Sequence, residues 1–253
     1  KLAFATEIRA FAMDPIGLTP REAFTVFEAN GQSPAAFVIT ACAKDSFSPY
    51  LWDFPFIGQS RFKGFFDEAF AKREADFLAW LGFDVYLARA DGFSTLGAFP
   101  DAVRQSNLRL DHVDLAEFLL HEMTHATVFK PSDNDFNESM ATFVGRRAAQ
   151  NYFDERFGDT SPEAVAARNR FADKSVIDEY VETLHSHMSA YYQSAADQAL
   201  PRDAIVAGRE VEFTSLRARI ENEFQPRLND PAHWQFILDS PLDNARIRLC
   251  RSG

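Results

Sequence analysis

His121-Glu122-Met123-Thr124-His125 sets two imidazoles four residues apart, with a carboxylate beside the first. On a helix that interval is about one turn, so both rings lie on one face and can aim a nitrogen at one point. Two imidazoles are too few for a catalytic zinc, which takes three protein ligands and leaves a fourth position to water. A third ligand is therefore expected from a nearby, separate element. Glu138 lies twelve intervening residues beyond His125, past the helix-breaking Pro131, in the first turn of the next helix. A tight helix–turn–helix brings that turn back beside the first helix. Two imidazoles and a carboxylate suit zinc, one ion per chain. Glu122 is then free to act as the base that takes a proton from the attacking water. Thr142 and Gly145 fall on about the same side as Glu138, and a glycine there lets two helices approach closely.

An isolated helical histidine is usually a surface residue or a satisfied core residue. HEMTH differs in its company: a cap signal, an apolar helix, a break, and an Asn-Glu pair opening the next helix. His112 and His233 read as solvent or loop residues. His185 and His187, two apart, do not converge on a helix.

The elements that must position these groups follow from periodicity and punctuation. Residues 1–12 have helical apolar spacing and stop at Asp14-Pro15. AFVITACA (36–43) and YLWDFPFIG (50–58) read as strands, and KREADFLAWLG (72–82) as a helix closed by Gly82. FDVYLARA (83–90) alternates as a half-buried strand does, and GFSTLGAF (92–99) follows as a second strand or extended edge. From Asp114 the chain is mainly helical. Asp114 and Glu117 have capping-box spacing ahead of FLLHEMTHATVF, and Asn134 or Asp135 is placed to cap FNESMATFVGRRAAQNYF. Stretches near 162–198 and 203–224, separated by Pro201, suggest an antiparallel helical pair. The fold class expected is α+β, a small mixed sheet followed by a mainly helical half.

A chain of 253 residues can bury a core without staples. One unit over 1–253 is expected, with a sheet-containing half (1–109) and a helical half (110–253) carrying the metal site. A net charge of −11 argues against nucleic acid and anionic membrane surfaces as partners, because phosphate binding relies on clustered Lys and Arg. Cys42 and Cys250 lack metal-ligand spacing, and no run of eighteen apolar residues is present to span a membrane. The sequence begins at Lys1, which suggests a processed or trimmed form from which any targeting segment would have been removed.

FKGFFDE (62–68), STLGAF (94–99), HEMTH (121–125) and FNESMATFVGR (136–146) together resemble the bacterial putative aminopeptidase family of predicted zinc peptidases. The likeness runs over about 36–150, with an echo at PLDNAR (241–246). HExxH followed by a separate Asn-Glu helix is also similar to the wider gluzincin group. The resemblance implies a zincin-like fold, His121, His125 and Glu138 as zinc ligands, and Glu122 as catalytic base. It also implies a secretory or lipoprotein signal, hence a periplasmic or envelope-anchored protein, with a lipid anchor on the removed amino terminus. A cytoplasmic location stays open.

The activity expected is hydrolysis of a peptide substrate by zinc-activated water, as an aminopeptidase. A zinc endopeptidase, and a non-catalytic binding or scaffold protein retaining the zinc site, stay open as alternatives. Zincins hold substrate on an edge strand before the metal helix, which here is Ser94, Thr95, Leu96 and Gly97. An electrophile for the oxyanion is expected from Tyr180, Tyr191 or Tyr192, with His185 and His187 as further candidates.

Overall fold

The computed structural model describes residues 1–29, 34, 36–55, 58–90, 102–130 and 133–251. In chain order the elements are α1 (Leu2–Met13), β1 (Phe27–Glu28), β2 (Ala36–Ala43), β3 (Trp52–Phe54), β4 (Gly58–Ser60), β5 (Lys63–Phe65), α2 (Glu68–Trp80), β6 (Phe83–Ala90), β7 (Val103–Arg104), α3 (His112–Thr127), α4 (Asn134–Phe157), α5 (Pro162–Asp197), α6 (Arg202–Arg219), α7 (Pro231–Leu238) and α8 (Asn244–Arg251). The strands all precede α3, with α1 and α2 among them, and the chain is helical from α3 onward, as expected of this α+β chain. The residues nevertheless group into two compact units, each drawing on both parts: unit 1 is Lys1–Ala35 with Ala90–Phe171, and unit 2 is Ala36–Arg89 with Ala172–Gly253.

Unit 1 is built on α1, α3 and α4. Ile8 and Ala12 of α1 share a buried core with Leu115, Leu119 and Leu120 of α3 and with Ala149 and Tyr152 of α4. The first turns of α5 add Ala164 and Ala167. Asp14 ends α1 in an extended conformation ahead of Pro15, as the sequence predicts. β1 and β7 make a two-residue parallel pairing, Phe27 beside Val103. Both helix caps near HEMTH differ from expectation. Asp111, one residue before α3, accepts from the Asp114 N–H at 2.9 Å, so α3 starts earlier than an Asp114 cap allows. Asp114 pairs instead with Arg170, and Glu117 with Arg146 at 3.2 Å. Asp133, rather than Asn134 or Asp135, caps α4 by accepting from the Phe136 N–H at 3.2 Å.

Unit 2 contains a three-stranded sheet in the order β5-β2-β6. β5 pairs antiparallel with β2, and α2 covers the sheet through Ala71 and Leu78, packed with Phe37, Ile39 and Trp52. The stretch 50–58 is not one strand: β3 and β4 form an antiparallel hairpin about Pro55, whose missing N–H cannot continue a ladder. α5 and α6 form the expected antiparallel pair. Tyr191 of α5 bonds the Ile205 carbonyl at 2.7 Å, His187 bonds Glu212 at 2.6 Å, and Glu179 pairs with Arg227, so partners ascend as α5 descends. A Cβ on Gly208 would come within 2.3 Å of the Tyr191 hydroxyl, so a larger residue there would displace Tyr191 from its bond to Ile205.

A polar cluster around Arg209 is sealed within unit 2. Arg209 makes two hydrogen bonds to Asp84, at 2.6 and 3.2 Å, and donates to the Lys44 carbonyl at 3.0 Å. Asp84 also accepts from the Asn244 N–H at 3.0 Å. Asn244 accepts from the Tyr192 hydroxyl at 2.8 Å and donates to the Ala43 and Ser46 carbonyls at 2.8 and 3.1 Å. The PLDNAR stretch thus serves α8 and the sheet, with Asp243 capping α8 by accepting from the Arg246 N–H at 2.8 Å. Cys42 is buried here, and burial pushes its thiol up to about 12. The Cys250 side chain lies outside the described residues.

Candidate metal centre

The α3–α4 hairpin carries the candidate site. Its contacts run antiparallel: Glu138, in the second turn of α4, faces both histidines, while Gly145 and Arg146 reach back to His121 and Glu117. Gly145 is what allows this spacing. A Cβ there would stand 3.1 Å from the Glu117 carbonyl oxygen and 3.2 Å from both the Cβ and the backbone nitrogen of His121, all parts of the facing helix that cannot swing away. The close approach expected of this glycine is what the structure shows.

His121 Nε2 and His125 Nε2 lie 3.1 Å apart, with rings at 83°. Glu138 sets Oε2 3.4 Å from His121 Nε2 and Oε1 3.5 Å from His125 Nε2. His125 is 7% exposed, whereas His121 and Glu138 are partly open to solvent. Four-coordinate zinc bound at about 2.0–2.1 Å separates neighbouring ligand atoms by about 3.3 Å along a tetrahedral edge. The three observed separations fall around that value. The two nitrogens and the carboxylate converge on one point, as the donor set of a zinc ion requires.

Electrostatics keeps the carboxylate in its ligating form. Hydrogen bonding to His121, then to His125, pulls Glu138 down to about 2 against the opposing push of burial. The His125 pKa is raised, chiefly by its hydrogen bond to Glu138, with burial opposing and the charges of Glu138 and Glu122 assisting. Glu122, half-buried next to His121, is therefore close enough to act electrostatically on the site.

Sequence reasoning missed the work of Asn137. This residue is buried, and its side chain grips both backbone groups of Lys130: Oδ1 accepts from the Lys130 N–H at 2.8 Å and Nδ2 donates to the Lys130 carbonyl at 2.9 Å. Its neighbour in sequence is the expected third ligand, so this grip sets the register of Glu138 against the histidine helix. The Asn-Glu pair was the available signal, but nothing in it named Lys130 as partner.

Ser94, Thr95, Leu96 and Gly97 lie outside the described residues. Tyr180 is buried in the unit 2 core, Tyr191 donates to the Ile205 carbonyl, and Tyr192 donates to Asn244. His185 stacks on Phe47 at 4.6 Å, and His187 pairs with Glu212. His112, exposed as expected, and the partly exposed His233 sit in the first turns of α3 and α7 rather than in loops.

No curated protein and no solved structure matches the chain. A family model does, the one described as "Putative aminopeptidase", and its match covers residues 1–252, well beyond the 36–150 expected from the motifs. The hairpin with its converging donors and the helices that support it thus stand inside one continuous family match, and the chain belongs to the putative aminopeptidase family.

Proposed function

We propose that this chain is a zinc-dependent aminopeptidase in which His121, His125 and Glu138 hold one zinc ion and Glu122 is the general base. The observation that carries this reading is the convergence of three lone-pair donors at 3.1, 3.4 and 3.5 Å. Two neutral imidazoles and a carboxylate brought to one point repel unless a proton or a cation lies among them. When bound, zinc supplies Lewis acidity, polarising the scissile carbonyl and making water acidic near neutral pH. Glu122 takes the proton of the attacking water and passes it to the leaving amine. Gly145 and Asn137 keep α3 and α4 in register for the ligands. The aminopeptidase subtype and the peptide substrate come from the family membership.

Metal content is the direct test. The chain, purified without added metal or chelator, is expected to carry about one zinc, and Glu138→Ala to lose it. Glu122→Gln is expected to retain zinc while hydrolysis falls by about 10²–10⁴-fold. A fully active Glu122→Gln variant overturns the assignment of the base. Amino-terminally blocked peptides should resist a true aminopeptidase, and their cleavage would mark an endopeptidase instead. Zinc bound with no hydrolysis of either peptide would mark a binding protein.

A further inference from the structure

Helix α2 has two apolar sides, and among the described residues only one is covered. Ala71 and Leu78 pack on the sheet with Ala75 alongside, and Glu74 fastens the helix by accepting from Trp52 Nε1 at 2.8 Å and Lys63 at 2.9 Å. The outer side carries Phe70, Phe77, Trp80 and Leu81, intervals that keep four large apolar residues on one stripe about 100° wide. Phe66 stands at its amino-terminal end, just ahead of the capping Asp67. Phe66 is 87% exposed and Trp80 79%, and the other three are each about half exposed. The rings of Phe77 and Trp80 stack at 6.1 Å. Arg73 lies in the same stripe, its guanidinium 4.6 Å from the centre of the Phe70 ring.

Single exposed apolar residues need no explanation, but a contiguous row of this kind marks an interaction surface. Three features select its occupant. Aromatic side chains present about 150–250 Å² each, so these exposures leave roughly 600 Å², below the ~800 Å² per copy that a stable dimer buries. One helix lying on a sheet is a convex ridge, which offers no groove for a folded partner. Phe, Trp and Leu arranged around a cation are the composition of helices that lie in a membrane interface, with the long basic side chain reaching for lipid phosphate.

The geometry points to α2 as a peripheral membrane-docking helix. It lies along a zwitterionic phospholipid surface with Phe66, Phe70, Phe77, Trp80 and Leu81 in the boundary between headgroups and acyl chains. Arg73 meets the phosphates. The net charge of −11 makes neutral lipid the fitting surface, with apolar insertion supplying the affinity. No helix among the described residues is long and apolar enough to cross a membrane.

Trp80 provides a built-in probe, because Trp52 and Trp234 are buried. The chain is titrated with phosphatidylcholine vesicles while tryptophan emission and co-sedimentation are followed. Emission should shift to shorter wavelength, and lipids brominated in the acyl chains should quench it. Phe66→Ser/Phe70→Ser keeps the probe and alters only exposed side chains; it should weaken partitioning roughly tenfold or more. Phe143→Ser, an exposed Phe of α4, serves as a control and should partition as the parent does. Unchanged emission with no sedimentation overturns the proposal. So does a dimer in solution that Phe66→Ser/Phe70→Ser dissociates, which would make the stripe a contact between copies.

Discussion

Two polar clusters among the described residues, one from each unit, are opposites in hydrogen-bond logic. In unit 2 every contact of the Asp84–Arg209–Asn244–Tyr192 cluster joins a donor to an acceptor: guanidinium to carboxylate, hydroxyl to amide oxygen, amide to carbonyl. The cluster is sealed, with Arg209 and Asp84 buried and Asn244 fully so. In unit 1, His121, His125 and Glu138 bring three groups that can each offer a lone pair to within 3.1–3.5 Å of one another, hydrogen-bonded only where an imidazole carries the proton, and leave the carboxylate about a third exposed. Complementary groups in a dry site lock a fold, whereas groups that can all offer lone pairs and converge beside solvent are suited to holding a cation. Burial and polarity alone do not distinguish the two; the pairing pattern does.

Breaking the lock should cost folding stability. Arg209→Met leaves the Asp84 carboxylate buried without its main partner and is expected to lower unfolding free energy by about 3–5 kcal/mol, read from urea denaturation. Adding Asp84→Leu should recover part of that loss, since no buried charge then remains. A loss below about 1 kcal/mol would show that water already reaches the cluster, and the contrast between the units would collapse.

At the hairpin, Gly145→Ala forces α3 and α4 apart and should destabilise by about 1–3 kcal/mol while also weakening zinc binding. Calorimetry alongside chelator competition separates the two effects, and unchanged zinc affinity would mean that helix spacing does not set the ligand geometry. Asn137→Ala should reduce zinc affinity by about 10–100-fold, the usual consequence of losing a group that holds a ligand in place. Chelator competition reads the loss, and an unchanged zinc affinity would mean that the grip on Lys130 does not set the position of Glu138.

The smallest effect concerns the metal-free chain. Glu138→Ala should change its stability by about 1 kcal/mol or less, since the carboxylate is partly solvated. The pH dependence gives the sign. Glu138 is depressed from 4.5 to about 2, so its share is present above 4.5 and lost as pH falls toward 2. His125 is raised from 6.5, so its share is present below 6.5 and lost as pH rises through the folded value. The Glu138 contact therefore helps most between about 4.5 and 6.5, and a stability difference that stays flat from pH 3 to 9 would contradict the pairing.

What was legible in the sequence is what spacing alone determines. His121, His125 and Glu138 could be grouped because a helical turn and a helix–turn–helix are geometric consequences of local sequence, and Gly145 followed from the same argument. The caps were misplaced because Asp111, Asp114, Asp133, Asn134 and Asp135 are all competent capping residues, and only backbone conformation selects among them. β5, three residues long, carries too little periodicity to be seen. The unit 2 lock was invisible: Asp84 meets Arg209 across 125 residues and Asn244 across 160, and no local pattern encodes such a meeting. Asn137 was half legible, since its place beside Glu138 was evident and its grip on Lys130 depends on how the loop closes.

The interleaving of the two units has a consequence for synthesis. All the segments of unit 1 are available once Phe171 has left the ribosome, whereas Asp84 of unit 2 is made 160 residues before the Asn244 that bonds it. At about 5–20 residues per second, that delay is roughly 8–30 s, during which β2 and β6 lack α8. Unit 1, with its hairpin, can mature first, and the sheet of unit 2 is the part of the nascent chain that chaperones would have to shield.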